Sequence, residues 1–177
     1  MEIKAKGKFD LELCKALVRF SMFKTADPKK RMRFWAFAYA ILLLIVLWEI
    51  ATFGAGTFLL VLLGVEVAAP LILCYFYFIV PKIKYKGLGK MKDAENEYVF
   101  AEDELRVFTR TEEYSGEAAV KYSAFVKVYE TSRYFFLFQP QNQVFAVDKS
   151  TLESGTKKDV REKLISALAG KYVICKY

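Results

Sequence analysis

The sequence contains no histidine and only three cysteines among its 177 residues. Histidine is the commonest general base near neutral pH and the commonest metal ligand, so its absence disfavours most metal-dependent and acid–base chemistry. Cys14, Cys74 and Cys175 lack the spacing of a metal motif, and we expect three free thiols. The sequence also lacks a P-loop, a G-x-S-x-G motif and a G-x-G-x-x-G motif. We therefore predict that the protein is not an enzyme and that it holds no cofactor and no metal.

Charge is nearly absent from one long part of the chain. Residues 34–80 carry only two charged side chains, Glu49 and Glu66. The segment divides at Gly54-Ala55-Gly56 into apolar runs of 20 residues (34–53) and 24 residues (57–80). About 20 apolar residues in a helix are enough to cross a bilayer. The pattern predicts a two-helix transmembrane hairpin over residues 34–80.

Positive charge is concentrated beside this hairpin. Residues 1–33 carry ten basic and four acidic side chains, and residues 82–92 carry five lysines and no acid. Residues 93–177 carry twelve basic and fourteen acidic side chains, so the net charge of +7 does not indicate a nucleic-acid-binding domain. The positive-inside rule predicts a plasma-membrane protein with both termini in the cytoplasm. The basic residues that flank the membrane are Lys29, Lys30, Arg31, Arg33, Lys82, Lys84 and Lys86.

The N-terminal segment, residues 1–33, is predicted to contain a strand and a helix. Residues 2–9 alternate between apolar and basic side chains, which indicates a short strand. Asp10 is suited to cap a helix over about 11–24, which ends before Asp27-Pro28. The broad apolar face of this helix packs either against the C-terminal domain or on the inner leaflet of the membrane, with Lys15 and Arg19 near anionic lipid.

Beyond a basic juxtamembrane linker, residues 81–92, the periodicity changes to that of strands. The domain 93–177 is predicted to be a small antiparallel sheet or barrel capped by a helix over 157–169, with Thr156 as its N-cap. The fold class is therefore a membrane α+β protein. Whether residues 2–9 join this sheet is left open by the sequence. The predicted strands are 98–100, 105–108, 117–123, 125–131, 134–139 and 143–148, with a turn at Pro140-Gln141-Asn142.

This order of short strands and one final helix resembles that of pleckstrin-homology (PH) domains. The chain is also similar to the YcxB-like family, in which two transmembrane helices precede a PH-like domain. The similarity is carried by residues 122–131, 134–138, 144–149 and 152–155 together with the final helix, and it extends over almost the whole chain. Asp148 departs from the family pattern, which usually has a proline before the lysine. The resemblance implies a fold and a cytoplasmic-facing location, and it implies no catalytic residue.

Glu66 is the most informative polar residue of the hairpin. It lies about 14 Å from Thr57 along the helix, close to the bilayer midplane. Pro70 has no N–H to donate to the Glu66 carbonyl, which is left free. Gly64 and Ala68 form a small-xxx-small step that permits close helix packing. Three roles are open for Glu66: an interhelical hydrogen bond that fixes pairing or oligomeric state, a contact with protons or ions, or a buried side chain that is merely tolerated. Glu49 lies near the outer tip, within reach of water.

Two functions are consistent with this organisation. The first is a membrane-anchored interaction or regulatory module, which binds a protein or peptide at its strand edges or beside the final helix. The alternative is an oligomeric transport or ion-conducting component that uses Glu66. The acidic loop 101–104 between the first two predicted strands of the domain disfavours phosphoinositide binding. The expected partners are the lipid bilayer, a protein that the sequence does not identify, and a second copy of the chain.

Overall fold

A computed structural model describes residues 2–23, 28–54, 56–140, 143–168 and 170–175. The first strand, β1, spans Ile3–Lys8, as the alternation predicts, with Ile3 and Ala5 buried and the lysines outward. Helix α1 spans Leu11–Phe23, and its first turn is capped because the Leu13 N–H donates to the Asp10 carboxylate at 2.8 Å. Of the predicted helix end, Lys24 and Asp27 lie outside the described residues.

Two long apolar helices follow. Helix α2 spans Pro28–Phe53; helix α3 spans Thr57–Cys74 and continues through a π-helical turn, Tyr75–Ile79, into α4, Val80–Lys86. Both helical stretches are long and apolar enough to cross a bilayer, and most of their side chains are exposed. The turn between them contains Ala55, which lies outside the described residues. Residues 81–86 of the predicted linker therefore extend the second helix.

The π-helical turn has a local cause in the sequence. In a regular α-helix the N–H of residue 81 would donate to the carbonyl of Tyr77, but Pro81 has no N–H. The N–H of Val80 donates instead to the Tyr75 carbonyl five residues earlier, which widens the helix by one residue. The helix continues beyond this point, so α4 carries Lys82, Lys84 and Lys86 away from the apolar stretch.

The rest of the chain forms two four-stranded sheets and one helix. The first sheet has the order β1-β2-β3-β4 and is antiparallel throughout. The second has the order β7-β6-β5-β8, in which β8 pairs with β5 in parallel. The final helix, α5 (Lys157–Leu168), packs on the core between them with Val160 and Leu164 fully buried. The strands are β2 Glu95–Phe100, β3 Glu104–Arg110, β4 Ser115–Lys121, β5 Lys127–Glu130, β6 Tyr134–Phe138, β7 Val144–Asp148 and β8 Tyr172–Ile174.

The N-terminal strand belongs to the C-terminal sheet, which answers the question that the sequence leaves open. β1 pairs with β2 along its full length, from Ile3 opposite Phe100 to Lys8 opposite Glu95. Ile3 and Ala5 lie in the same buried cluster as Phe100. The predicted boundaries 1–33 and 93–177 therefore divide a single sheet, and the helical hairpin is an insertion between two of its neighbouring strands.

The two sheets meet along the free edge of β1. Ala5 forms an antiparallel bridge with Leu152, and the N–H of Glu153 donates to the Lys4 carbonyl at 2.8 Å. The hydroxyl of Thr151 donates to the Lys6 carbonyl. The segment that follows β7 thus covers the outer edge of β1 and links the second sheet to the first.

Three details differ from the sequence-based expectations or complete them. The capping box of α5 is present, because the Asp159 N–H donates to the Thr156 hydroxyl at 3.3 Å and the Thr156 N–H donates to the Asp159 carboxylate at 2.7 Å. Tyr122, predicted to lie within the strand 117–123, instead begins a 3₁₀ turn and donates its hydroxyl to the Ala101 carbonyl. β8 is not predicted, and residues 141–142 of the predicted turn lie outside the described residues.

Candidate functional site

Strand β4 is the exposed edge of the first sheet. It pairs with β3 on one side, and no described segment pairs with its other side. Most of its side chains are exposed, and only Gly116 and Val120 are partly buried. An edge strand presents unpaired N–H and C=O groups to solvent, so β4 offers a template for another strand.

The hydrogen-bond register identifies which backbone groups are free. The Thr111 N–H donates to the Tyr114 carbonyl at 2.8 Å, and the Tyr122 N–H donates to the Asp103 carbonyl at 3.1 Å. In an antiparallel pair, residues bonded to the partner strand alternate with residues whose groups point away. Positions 114, 116, 118, 120 and 122 therefore bond to β3, and the outward-pointing N–H groups belong to Ser115, Glu117, Ala119 and Lys121.

Charge is balanced on the connections of the first sheet that adjoin the helical hairpin. With β1 in the sheet, the first inter-strand connection is the helical hairpin, and the acidic loop 101–104 is the second. The cavity of about 680 Å³ between the end of β1 and the β3–β4 turn is lined by Lys8, Lys90, Lys92 and Arg110, and also by Asp93, Glu95, Glu112 and Glu113. Equal numbers of basic and acidic side chains do not favour a phosphate group there.

Helix α1 joins the second sheet to helix α4. Leu13 and Phe20 pack in a buried cluster with Phe136 of β6 and with Cys175, which follows β8. The Phe20 ring lies 4.9 Å from that of Phe136. Of the two alternatives for the apolar face of α1, the structure shows packing on the C-terminal domain.

The opposite side of α1 lies against the helix that leaves the hairpin. The Arg19 guanidinium lies over the Tyr77 ring at 4.1 Å from its centroid. Cys14 lies one and a half turns before Arg19 in α1, and Lys84 lies two turns beyond Tyr77. Both residues line one cavity. α1 therefore runs antiparallel to the helix of Tyr77 and Lys84 and brings its C-terminal end towards the apolar hairpin.

A buried ionic cluster in the second sheet was not found by the sequence reasoning. Glu130, only 2% exposed, accepts hydrogen bonds from Lys149 at 2.6 Å, from Arg161 at 2.6 and 2.7 Å, and from Tyr172 at 2.5 Å. Lys149, 7% exposed, also donates to the Thr131 carbonyl. The sequence feature that could have identified Glu130 is the alternation of β5, which places Glu130 on the inward face with Val128.

This cluster fixes the charge of its central carboxylate. Burial favours the neutral form of Glu130, but the hydrogen bonds from Arg161, Lys149 and Tyr172 outweigh it and lower the pKa of Glu130 to about 2. Burial, reinforced by the bond to Glu130, raises the pKa of Tyr172. The cluster therefore joins β5, β8, α5 and the turn after β7 by charge-assisted hydrogen bonds, which suits a structural role.

Glu66 is buried between the helices of the hairpin. It is 4% exposed, and neither carboxylate oxygen has a hydrogen-bond partner among the described residues. Its main-chain carbonyl, which Pro70 leaves free, accepts a hydrogen bond from the Tyr39 hydroxyl of α2 at 3.0 Å. The interhelical bond at this position is therefore made by the backbone of Glu66.

The other predicted hairpin residues lie apart from Glu66. Glu49 is half-buried on α2 beside Leu44, Ile45 and Trp48, and no hydrogen bond connects it to Glu66 in the described structure. A Cβ atom at Gly64 would meet nothing within 4 Å, so the predicted small-residue step does not pack against α2. The side chains of Lys30, Arg33, Lys82, Lys84 and Lys86 are exposed, whereas those of Lys29 and Arg31 lie outside the described residues.

The described residues contain no group of three or more histidine, cysteine, aspartate or glutamate side chains placed to hold a metal ion. Cys14 and Cys175 are buried, Cys74 is exposed, and none of the three forms a disulfide. Burial raises the pKa of the Cys14 and Cys175 thiols. These thiols are poor nucleophiles in their buried positions.

Comparison with known proteins agrees with the resemblance stated from the sequence. A sequence model of the YcxB-like protein family matches residues 100–164, from the end of β2 to the last turns of α5. No curated protein and no solved structure gives a significant match to the chain. The matched segment contains most of the stretches that suggested the family, including 122–131, 134–138 and 144–149. The match therefore supports the family prediction over residues 100–164.

Proposed function

We propose that the protein is a membrane-anchored interaction module, in which a PH-like domain is held at the cytoplasmic face of the plasma membrane by the α2–α3 hairpin. Two helices of sufficient length, with exposed apolar side chains and basic residues beyond each, support the crossing. A four-stranded meander followed by a three-stranded meander and a helix supports the PH-like assignment.

The domain binds an extended segment of another protein by strand addition to β4. The observation that carries this proposal is the row of outward N–H groups at Ser115, Glu117, Ala119 and Lys121, on a strand that no other described segment covers. Small side chains at Ala118 and Ala119 leave room for an added strand, whereas the Tyr114 ring lies over Gly116. Main-chain hydrogen bonds supply the affinity in this binding mode, and alternate side chains supply the specificity.

The free edge of β1 does not compete with β4. Residues 151–154 already bond to it through the Lys4 carbonyl, the Lys6 carbonyl and the bridge at Ala5. β8 has only three residues and pairs in parallel with β5. β4, with seven residues, is the longest strand edge available for addition.

Proline substitution on β4 tests the proposal with a built-in control. Ala119→Pro removes an outward N–H and leaves the bonds to β3 in place, since proline is tolerated on edge strands. A photo-crosslinking residue at position 117 of the full-length protein in its membrane is expected to capture a protein, and Ala119→Pro is expected to abolish the adduct. Ala119→Val, which keeps the N–H, preserves it. Adducts that persist in Ala119→Pro would show that strand addition is not the binding mode.

A second candidate function is an oligomeric transport or ion-conducting unit that uses Glu66. It is favoured by a buried carboxyl group that has no hydrogen-bond partner among the described residues, and by the open face of α3 at Gly64, where a second copy has room to approach. Two helices cannot enclose a pathway, so this function requires oligomers. Unchanged ion flux in liposomes for a Glu66→Gln variant that assembles normally would eliminate it.

A further inference from the structure

An apolar groove lies between α1, α4 and the adjoining ends of β6 and β7. It has a volume of about 520 Å³, within the range of small-molecule sites. Its walls are mainly apolar, with Leu17 and Val18 from α1 and with Phe138 and Val144 from the second sheet. Lys84 and Ser21 are the polar residues among its described walls, which contain no acidic side chain. We refer to it as the α1–α4 groove.

The groove lies where the second apolar helix leaves the hairpin. Tyr77 belongs to the apolar stretch, and Lys84 follows it by about 10 Å along the helix. Arg19 of α1 lies over the Tyr77 ring, whereas Cys14 of α1 lines the groove with Lys84. The groove thus spans the level at which lipid phosphate groups meet acyl chains on the cytoplasmic side.

Lys84 supplies the positive charge of the groove, and its side chain is exposed. A phosphate oxygen is a strong acceptor for an ammonium group. Arg19 is not among the described lining residues, because its guanidinium lies over the Tyr77 ring and its Nε is buried.

The volume favours an acyl chain over a docked helix. An α-helix about 10 Å across occupies about 800 Å³ in every 10 Å of its length, which exceeds the groove. A single extended acyl chain is much narrower, and apolar walls without hydrogen-bonding groups suit it. Backbone groups of a peptide would find few partners there.

We propose that the α1–α4 groove binds one anionic phospholipid of the inner leaflet, with an acyl chain against Leu17, Val18 and Phe138 and the phosphate at Lys84. Its charge balance separates it from the cavity beside the β3–β4 turn, where acidic and basic side chains are equal in number. The proposal rests on the membrane crossing proposed above, which thiol labelling tests separately. It does not depend on strand addition at β4.

Photo-crosslinking in nanodiscs tests this site. The full-length protein carries p-benzoylphenylalanine at position 144 and is reconstituted in phosphatidylcholine with or without 20% phosphatidylglycerol (about one lipid in five, sufficient to give an anionic surface). Mass spectrometry is expected to detect a phosphatidylglycerol adduct, whereas the same residue at position 165, exposed on α5, is expected to give none.

Charge variants decide whether binding is specific. Lys84→Gln is expected to reduce the phosphatidylglycerol adduct about five-fold, because a partly exposed charge-assisted contact contributes about 1 kcal/mol. Lys86→Gln, also exposed on α4 but not lining the groove, is the matched control and keeps the full yield. Absence of any lipid adduct, an adduct with protein in its place, or equal yields with phosphatidylcholine and with Lys84→Gln would each overturn the proposal.

Discussion

Lys8 lies directly opposite Glu95 in neighbouring antiparallel strands, although residues 9–94 separate the two positions in the chain. The pairing continues one step further, because the Phe9 N–H donates to the Ala94 carbonyl at 2.9 Å and the Asp93 N–H donates to the Phe9 carbonyl at 3.2 Å. Both ends of the inserted segment are thereby held at one point of the sheet.

Removal of the hairpin is expected to leave a folded soluble domain. A variant in which residues 24–79 are replaced by a flexible linker of about ten residues keeps β1, α1, α4 and both sheets. We expect cooperative thermal unfolding, measured by circular dichroism, because the buried clusters of both sheets remain complete.

The fragment 93–177 is the matched comparison. It lacks β1 and therefore loses the buried side chains Ile3 and Ala5 and exposes the edge of β2. We expect it to aggregate or to unfold without a cooperative transition. A fragment 93–177 as stable as the linked variant would show that β1 is dispensable.

Lys149 is expected to stabilise the domain much more than Arg161, although both bond to Glu130. Lys149→Met leaves part of a buried carboxylate unpaired and should cost about 3 kcal/mol in the free energy of unfolding. Arg161 is 41% exposed, so water can replace it, and Arg161→Met should cost about 1 kcal/mol. Urea unfolding of the hairpin-deleted variant measures both values, and equal costs would contradict the assigned roles.

The ionic cluster around Glu130 predicts how the free energy of unfolding depends on pH. The pKa of Glu130 is lowered from 4.5 in the unfolded chain to about 2 in the folded protein. The contribution of ionised Glu130 to the free energy of unfolding is therefore complete above pH 4.5 and is lost as the pH falls from about 4.5 to about 2. This contribution amounts to about 3 kcal/mol. Glu130→Gln should be less stable at pH 7 and should lose less stability across this range. If the free energy of unfolding of Glu130→Gln fell with pH as steeply as that of the native protein, the lowered pKa of Glu130 would be contradicted.

Tyr39 and Pro70 are expected to be coupled through the carbonyl of Glu66. Tyr39→Phe removes the hydrogen bond to this carbonyl and should destabilise the hairpin by about 1 kcal/mol. Pro70→Ala supplies an N–H to the same carbonyl, so Tyr39→Phe should then have almost no effect. Thermal unfolding in detergent of the four proteins in this double-mutant cycle gives the coupling, and strictly additive effects would refute it.

Local patterns identified most elements of the fold but not their partners. The alternation of residues 2–9 predicts β1, and Asp10 and Thr156 mark the starts of α1 and α5. No local pattern predicts that β1 pairs with β2, because the partner strand begins 87 positions after Lys8, at Glu95. β8 was missed since three residues in parallel pairing carry no turn signal.

The candidate sites also differ in whether the sequence alone reveals them. Glu66 stands out in the sequence as a charge in an apolar run, and its burial is found in the structure. Glu130 does not stand out, because one acidic residue in a strand becomes informative only when Lys149, Arg161 and Tyr172 are placed around it. The α1–α4 groove depends on three elements distant in sequence and has no local pattern at all.

Single-cysteine labelling tests most directly whether the hairpin crosses the membrane between two strands of one cytoplasmic domain. Variants without the native cysteines carry Glu2→Cys, Gly56→Cys or Glu113→Cys, all at exposed positions. A membrane-impermeant maleimide should label only Gly56→Cys in intact cells, and all three after permeabilisation. Labelling of Glu2→Cys or Glu113→Cys from outside would contradict the account, since β1 and the rest of its sheet would then lie on the wrong side or on opposite sides.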